Sequence, residues 1–330
     1  MEPVAGFRNT ATAFLRESLR IGSSNAPWLS LHLHAVIPSE GSSRAVLLLH
    51  GATLSSYVFD LGVPGYSLQE RLAAAGWASY ALDVRGYGRS SRPVPGDPGC
   101  PADRPFSTAA EVVVDVADAV RFLRHDRRHA EVVLVGYSWG TILAGRFVTA
   151  YPGVVSRMIL NAPIYGTPNA RWIGQLGAPG RPAASGFAPG GYRWTTANEL
   201  QARWNSEIPT EEKSSWRANE VVKAVLQAAL ESDPLSLTRA PPAFRSPTGC
   251  GVDLFQAFSG HAAFDAGKIE IPILLVRGDS DTTSTEADSL RLLGCLKSRD
   301  KHSITIPSGT HFACFEYCAP LLFDALLGFL

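Results

Sequence analysis

The sequence predicts an α/β fold, in which helices cover both faces of a mostly parallel β-sheet. Short continuous apolar runs such as Ala45–Leu49 recur along the chain, and such runs are typical of strands buried on both faces. Segments with helical spacing separate these runs, and two of them follow capping boxes, in which Ser or Thr precedes Glu by three residues. Strand and helix in alternation indicate a parallel sheet between two helical layers.

The strand-like segments begin near the N-terminus. Residues 14–21 and 29–37 are consistent with two short strands separated by the turn-forming residues 22–25. The apolar run Ala45–Leu49 follows and ends at His50-Gly51. The remaining predicted strands are residues 78–82, 132–135, 155–160, 271–276 and 303–306.

Helices are predicted in the intervals between these strands. The capping box Ser67-x-x-Glu70 precedes an Ala-rich segment, and Thr108-x-x-Glu111 precedes the apolar, helix-periodic residues 112–123. Composition and apolar spacing predict two more helices, at residues 141–151 and 321–330.

Residues 164–269 interrupt the alternation. They contain a Gly- and Pro-rich run and two helical segments, near 196–206 and 211–232, which favour a largely helical cap. We therefore predict a core domain from residues 1–163 and 270–330, with the cap inserted between its two parts. Four of the seven tryptophans fall in the cap, and they can either pack in its interior or line a ligand pocket. The candidates for the pocket are Trp172, Trp194, Trp204 and Trp216 of the cap, with His50 and Tyr137 of the core.

Composition excludes several classes of function. The chain has 30 Lys+Arg and 30 Asp+Glu, which argues against nucleic acid as a partner because phosphate binding needs a basic surface. No apolar segment approaches the roughly 20 residues of a membrane span, and the first 22 residues do not resemble a signal peptide. With five Cys and no export signal, we expect a cytoplasmic protein with reduced thiols. Composition leaves the oligomeric state open.

Metal and cofactor sites are not predicted. His32 and His34 share one face of a strand, but no third ligand accompanies them. We expect both side chains to be exposed to solvent, and we expect neither a metal nor a cofactor.

The most informative motif is Gly136-Tyr137-Ser138-Trp139-Gly140. It follows an apolar strand directly and precedes a helical segment, which is the context of a sharp turn that exposes a serine nucleophile. The small residues two before and two after Ser138 permit a strained backbone there. Ser138 should therefore lie above the sheet, at the positive end of the following helix.

A serine hydroxyl needs a base, and the base needs a group that orients it. His311 lies in a loop of small residues after the last predicted strand, so its imidazole can reach Ser138 at the carboxyl edge of the sheet. Asp281 follows the strand at 271–276 and could fix the histidine tautomer. Asp279 is an alternative for the same role.

The order Ser138, Asp281, His311 resembles that of the α/β-hydrolase family. The resemblance also involves LLLHGAT at 47–53, LDVRGYGRSSRP at 82–93, RGDSD at 277–281 and GTH at 309–311. It implies an eight-stranded, mostly parallel sheet with a cap after the sixth strand. It also implies an acyl intermediate on Ser138, which is attacked by water that His311 activates. The implied oxyanion donors are the backbone N–H groups of Trp139 and Ala52.

The residue at position 138 narrows the chemistry. Related haloalkane dehalogenases and epoxide hydrolases carry Asp where this chain has Ser138, which argues against an alkyl-enzyme intermediate. The predicted function is hydrolysis of an ester, thioester, lactone or amide bond in a small, hydrophobic molecule. Alternatives on the same fold are an acyltransferase, a C–C hydrolase, a lyase or a non-catalytic ligand-binding receptor.

Overall fold

The computed structural model describes residues 14–94, 96–97, 104–177 and 191–330. Eight strands form one sheet: β1 (Phe14–Gly22), β2 (Ser30–Pro38), β3 (Arg44–Leu49), β4 (Ala78–Asp83), β5 (Glu131–Tyr137), β6 (Arg157–Asn161), β9 (Ile273–Gly278) and β10 (Lys301–Ile306). Their spatial order is β1-β2-β4-β3-β5-β6-β9-β10. The pairs β1–β2 and β2–β4 are antiparallel, and all other pairs are parallel. The predicted fold class is confirmed.

Burial explains why the sequence signal is strongest in the central strands. All residues of β4 are buried, as are all but the first residue of β3 and of β5. Because successive side chains point to opposite faces, Leu47 and Leu49 join one hydrophobic core while Val46 and Leu48 join the other. The edge strand β10 is exposed except at its last residue.

Helices cover both faces of the sheet. Those that follow core strands are α1 (Leu68–Ala74), α2 (Ala109–Arg121), α3 (Trp139–Ala150), α8 (Glu286–Cys295) and α9 (Ala319–Phe329). α2, α3 and α8 bury apolar residues in one core, and α1 and α9 do so in the other. Hydrogen bonds of the two predicted capping boxes are present at the starts of α1 and α2. Ser67 Oγ accepts from the Glu70 N–H at 3.0 Å, and the Glu111 carboxylate accepts from the Thr108 N–H at 2.9 Å.

A long insertion separates β6 from β9. Its elements are α4 (Ala170–Leu176), β7 (Tyr192–Thr196), α5 (Ala197–Asn205), α6 (Asn219–Glu231), β8 (Ala243–Pro247) and α7 (Gly249–Phe258). β7 and β8 form a separate two-stranded antiparallel sheet, which the expectation of a largely helical cap did not include. β7 is only five residues long and continues directly into the capping box of α5, so its alternation is too short to stand out from a helical pattern.

Part of the Gly- and Pro-rich run, residues 178–190, lies outside the described residues, as does Cys100. No helix in the described part of the chain is both long and apolar enough to cross a membrane.

Candidate active site

Ser138 lies at the tight turn between β5 and α3, which begins at Trp139. Its backbone has φ 56° and ψ −119°, a conformation that costs a non-glycine residue energy and is characteristic of functional turns. The turn is crowded: a Cβ added at Gly136 would lie 2.3 Å from the Gly140 carbonyl oxygen, and one added at Gly140 would lie 2.3 Å from the Leu49 carbonyl oxygen. Backbone packing therefore requires glycine on both sides of the serine.

Ser138, His311 and Asp281 form a continuous hydrogen-bonded chain. The distance from Ser138 Oγ to His311 Nε2 is 2.9 Å, and that from His311 Nδ1 to Asp281 Oδ2 is also 2.9 Å. All three residues are buried. If Nδ1 donates to the carboxylate, Nε2 is left as the acceptor for the serine hydroxyl proton. The arrangement is suited to general-base activation of Ser138.

The two candidate carboxylates have different environments. Asp281 is buried, and its second oxygen accepts from the backbone N–H groups of Thr283 and Ser284, each at 2.8 Å. Asp279 is exposed and accepts from the Ser308 N–H at 3.0 Å. Asp281, not Asp279, therefore contacts the imidazole.

The histidine loop is held by buried polar contacts that the sequence did not reveal. The Tyr137 hydroxyl donates to the His311 carbonyl oxygen at 2.7 Å. The Glu316 carboxylate accepts from the Thr310 N–H at 2.8 Å and from Trp204 Nε1 at 2.9 Å. Burial raises the pKa of Glu316. No sequence motif marks Glu316, because one of its partners, Trp204, lies more than 100 residues away in the chain.

Glu207, like Glu316, is a carboxylate that the sequence analysis did not identify. It joins the insertion to the loop that contains Asp281. Glu207 pairs with Arg203 one helical turn away and accepts from Thr282 N–H at 3.1 Å and from Thr283 Oγ at 3.0 Å. Burial opposes the ionisation of Glu207, but Arg203, the nearby His311 and the Thr282 hydrogen bonds lower its pKa to about 2. Glu207 therefore remains charged and holds the loop that carries the acid.

The loop after β3 lies against Ser138. A Cβ added at Gly51 would lie 3.6 Å from Ser138 Oγ. No acceptor in the described part of the chain binds the Ala52 N–H, and the Trp139 N–H is one of the unpaired donors of the first turn of α3. Both groups are thus free to stabilise a developing oxyanion beside Ser138.

The Trp139 side chain is buried below this site. Its indole Nε1 donates to Asp253 Oδ2 on α7 at 2.9 Å, and the same oxygen accepts from the Ala109 N–H at 2.7 Å. Burial raises the pKa of Asp253 to about 6. This carboxyl connects the insertion, the start of α2 and Trp139, the residue after Ser138.

A cavity of about 570 Å³ opens over Ser138 and His311. Its volume falls in the range of small-molecule sites. Of the predicted pocket residues, Tyr137, Trp172 and Trp194 line it. Most of the other lining side chains are apolar or aromatic, and they include Leu54, Ile164, Leu176, Tyr192, Leu200, Leu254, Phe258 and Phe312.

The other three predicted pocket residues do not line this cavity, so the structure corrects their assignment. His50 is fully buried, and its Nδ1 donates to the Gly51 carbonyl oxygen at 2.8 Å. Burial lowers its pKa, so it supports the turn as a neutral side chain. Trp204 is also fully buried and stacks on Phe312 with a centroid distance of 5.3 Å. Trp216 is partly buried and packs against the hydrophobic core that contains Trp204.

The expectation that His32 is exposed is wrong. His32 is buried, with Nδ1 2.9 Å from Asp83 Oδ2 and Nε2 2.9 Å from Ser18 Oγ. This second Ser–His–Asp set lies at the edge of the sheet, where Ser18 belongs to the extended strand β1. Asp83 also accepts from the Ser56 N–H at 2.8 Å, which is a structural role.

Comparison with known proteins identifies a matching family and two similar curated proteins. The family described as serine aminopeptidase, S33, matches residues 41–317. Over 150 residues the chain is 29% identical to the 1-acylglycerol-3-phosphate O-acyltransferase ABHD5 of Rattus norvegicus, a match that covers 46% of this chain and 37% of that protein. Over 159 residues it is 24% identical to a haloalkane dehalogenase of Mycobacterium marinum, with 48% of this chain and 47% of that protein covered. The matches thus span less than half of these curated relatives.

Among solved structures, that of E-2-(acetamidomethylene)succinate hydrolase is similar, with a TM-score of 0.64 over 96% of this chain and 99% of that one. The sequence identity is 18%, so this likeness concerns the fold alone.

Proposed function

The chain belongs to the serine aminopeptidase S33 family of α/β-hydrolases, and we propose that it cleaves an ester, thioester, lactone or amide bond through an acyl intermediate on Ser138. One observation carries the proposal: Asp281, His311 and Ser138 are joined by hydrogen bonds of 2.9 Å at the floor of a cavity. The strained turn at Ser138 supports it further.

In the proposed reaction, His311 Nε2 takes the proton from Ser138 Oγ as the oxygen attacks the carbonyl carbon of the substrate. The N–H groups of Ala52 and Trp139 stabilise the oxyanion that forms, and Asp281 stabilises the imidazolium. His311 then returns the proton to the leaving group as the acyl bond breaks. Water repeats the sequence on the acyl-serine and releases the acid.

The cavity supports a small substrate with apolar parts. Its walls carry Trp172, Trp194 and Phe258, whose rings bury apolar surface. A substrate that fills such a cavity gains affinity from the area that it removes from water. We therefore propose a small, partly hydrophobic molecule as substrate.

A second candidate function is acyl transfer to an alcohol. The similarity to an acyltransferase is the observation that favours it. The same acyl-serine would form, and a hydroxyl group would replace water in the second half of the reaction. Dehalogenase chemistry is disfavoured because alkylation of Ser138 would give an ether, which water does not cleave readily.

The test combines labelling with turnover. We expect a fluorophosphonate probe to label the wild-type protein at Ser138 and to leave Ser138→Ala unlabelled. A panel of esters, thioesters, lactones and amides should show turnover that falls on the order of 10⁴- to 10⁶-fold in Ser138→Ala. Labelling that persists in Ser138→Ala would contradict the proposal. Product analysis with an added alcohol separates hydrolysis from transfer.

A further inference from the structure

Arg193 brings a positive charge into the cavity beside the oxyanion loop. It belongs to β7 of the insertion and lines the cavity, where its side chain is half-buried. Its Nη2 donates to Thr53 Oγ1 at 3.0 Å, and Thr53 directly follows the proposed oxyanion donor Ala52. The guanidinium therefore lies in the cavity that also contains Ser138 and is bonded to the loop that follows β3.

No carboxylate that the structure describes is in contact with this charge. Within the described ranges, no carboxylate oxygen lies within 4.0 Å of the Arg193 guanidinium, whose hydrogen bond goes to the neutral Thr53. Residues 178–190, which precede β7 in the chain, contain no Asp or Glu. The Glu199 carboxylate acts on Arg193 only from further away, so the guanidinium can still bind a carboxylate of a ligand directly.

Two neighbouring arginines of the insertion contact carboxylates. Arg203 also lines the cavity, but Glu207 neutralises it. Arg245, on the neighbouring strand β8, donates to Asp233 from Nε at 2.8 Å and from Nη2 at 2.7 Å. Arg193 thus differs from both in keeping most of its donors available to a ligand.

We propose that Arg193 forms a carboxylate subsite, so that the preferred substrates of the proposed hydrolase carry a carboxylate near the scissile bond. This inference rests on the proposed function, whose substrate class it narrows. The planar guanidinium can donate two parallel hydrogen bonds to a carboxylate. The apolar walls around it strengthen that interaction, because they reduce the screening by water.

Glu199 is the acidic residue that opposes this binding. It lines the same cavity, and its carboxylate accepts from Thr196 N–H at 2.7 Å and from Thr196 Oγ1 at 2.8 Å. These hydrogen bonds, and further away the Arg193 charge, lower the pKa of Glu199. It is therefore ionised beside Arg193 and weakens the attraction for an anionic substrate.

The test compares matched esters that differ in one carboxylate. 4-Nitrophenyl hemiglutarate and 4-nitrophenyl pentanoate place the charge on the acyl side, whereas 4-acetoxybenzoate and 4-acetoxytoluene place it on the leaving group. The measured quantity is the ratio of kcat/KM for the charged ester to that for the neutral one. We expect this ratio to fall at least tenfold in Arg193→Gln for one of the two pairs, and less in Arg193→Lys. It should rise in Glu199→Gln, which keeps the side-chain acceptor for α5.

Arg239→Gln is the matched control. Arg239 is exposed and covers Trp194 with its guanidinium 4.5 Å from the ring centroid, but it does not line the cavity. We expect this variant to keep the wild-type ratio. The subsite proposal is overturned if Arg193→Gln keeps its turnover and has the wild-type kcat/KM ratio for both ester pairs. That result would not contradict the proposed function.

Binding separates the two proposals in the opposite case. The same esters are titrated by calorimetry into Ser138→Ala and into Ser138→Ala/Arg193→Gln. If Ser138→Ala binds a charged ester more tightly than its neutral partner and Ser138→Ala/Arg193→Gln does not, the subsite is supported. This holds even if the wild type hydrolyses none of the four esters. If each charged ester binds to the two variants with equal affinity, the subsite proposal is overturned.

Discussion

At the scale of single residues, the molecule contains two Ser–His–Asp sets with nearly the same contacts. Ser138–His311–Asp281 and Ser18–His32–Asp83 both have hydrogen bonds of 2.9 Å. The first set has a strained serine at a helix N-terminus and a cavity above it. Ser18 lies in an extended strand at the sheet edge, outside the lining of that cavity. Hydrogen bonds alone therefore do not define a nucleophile.

This difference gives a prediction. A fluorophosphonate should modify Ser138 and leave Ser18 unmodified, because Ser18 lies within a strand and not at the N-terminus of a helix, where backbone N–H groups can stabilise an oxyanion. Mass spectrometry of tryptic peptides identifies the labelled serine. We expect Ser18→Ala to be labelled at the wild-type rate and to retain turnover within about twofold. A labelled peptide that contains Ser18 would show this interpretation to be wrong.

The raised pKa of Asp253 leads us to expect that the stability of the fold depends on pH. Its pKa is raised by burial to about 6 from 3.8, so the folded protein binds this proton more tightly than the unfolded chain does. Stability from this group is therefore present at low pH and is lost as pH rises from about 4 through 6. Asp253→Asn keeps an oxygen acceptor for Trp139 and has no carboxyl to ionise.

We expect the free energy of unfolding of wild type, relative to Asp253→Asn, to decrease by about 1–3 kcal/mol between pH 4.5 and pH 7. Urea unfolding at both pH values measures it. Taking the difference between the two proteins cancels the other titrating groups, including His50, whose lowered pKa gives the opposite slope. Asp126→Asn, at an exposed site, should show no such trend. A flat difference for Asp253→Asn would refute the prediction.

At the scale of elements, the turn between β5 and α3 is specified by backbone contact. Gly140→Ala would place a Cβ 2.3 Å from the Leu49 carbonyl oxygen, so α3 or β3 must shift. We expect a loss of about 1–3 kcal/mol in unfolding free energy and of about 10²-fold in kcat/KM, since Ser138 moves with the turn. Thermal unfolding and ester turnover measure these effects.

Gly294→Ala is the control for that substitution. Gly294 lies in α8, and a Cβ there would have no atom within 4 Å. We expect the variant to be more stable by about 0.5–1 kcal/mol, because Ala favours the helix more than Gly does. If Gly140→Ala behaved like this control, the turn would not depend on close backbone contact.

Sequence patterns predicted the strands of the large sheet well and parts of the insertion poorly. The eight predicted strands correspond to observed strands whose ends differ by at most two residues. In the six strands other than β1 and β10, burial of apolar residues produces a pattern that is visible in the local sequence. The helices α4, α7 and α8 and the pair β7–β8 were not predicted. α4 has seven residues and β7 and β8 have five each, which is too short for a clear period.

At the scale of the whole molecule, Glu207 joins the insertion to the Asp281 loop. Glu207→Ala would leave Arg203 unpaired and remove the acceptor for Thr282 and Thr283. Breaking such a buried pair is strongly unfavourable. We expect the unfolding free energy to fall by about 3 kcal/mol, together with a lower kcat because Asp281 loses its support.

Chemical denaturation and initial-rate kinetics measure the two effects. Glu211→Ala removes an exposed carboxylate from the same part of the insertion, and we expect a change within about 0.5 kcal/mol. An equally small change in Glu207→Ala would mean that the insertion and the Asp281 loop are not coupled through this carboxylate.

The sequence by itself determined the class of the fold and the turn at Ser138. It also identified Ser138 and His311 as a candidate nucleophile and its base. These features depend on local periodicity, on small residues at fixed offsets and on the ends of strands, all of which are recorded within a few neighbouring positions. Only the tertiary structure decided that Asp281 rather than Asp279 contacts the imidazole and which tryptophans line the cavity. It also decided that no carboxylate among the described residues contacts Arg193. Those outcomes depend on contacts between residues far apart in the chain, and such contacts leave no periodic trace in the sequence.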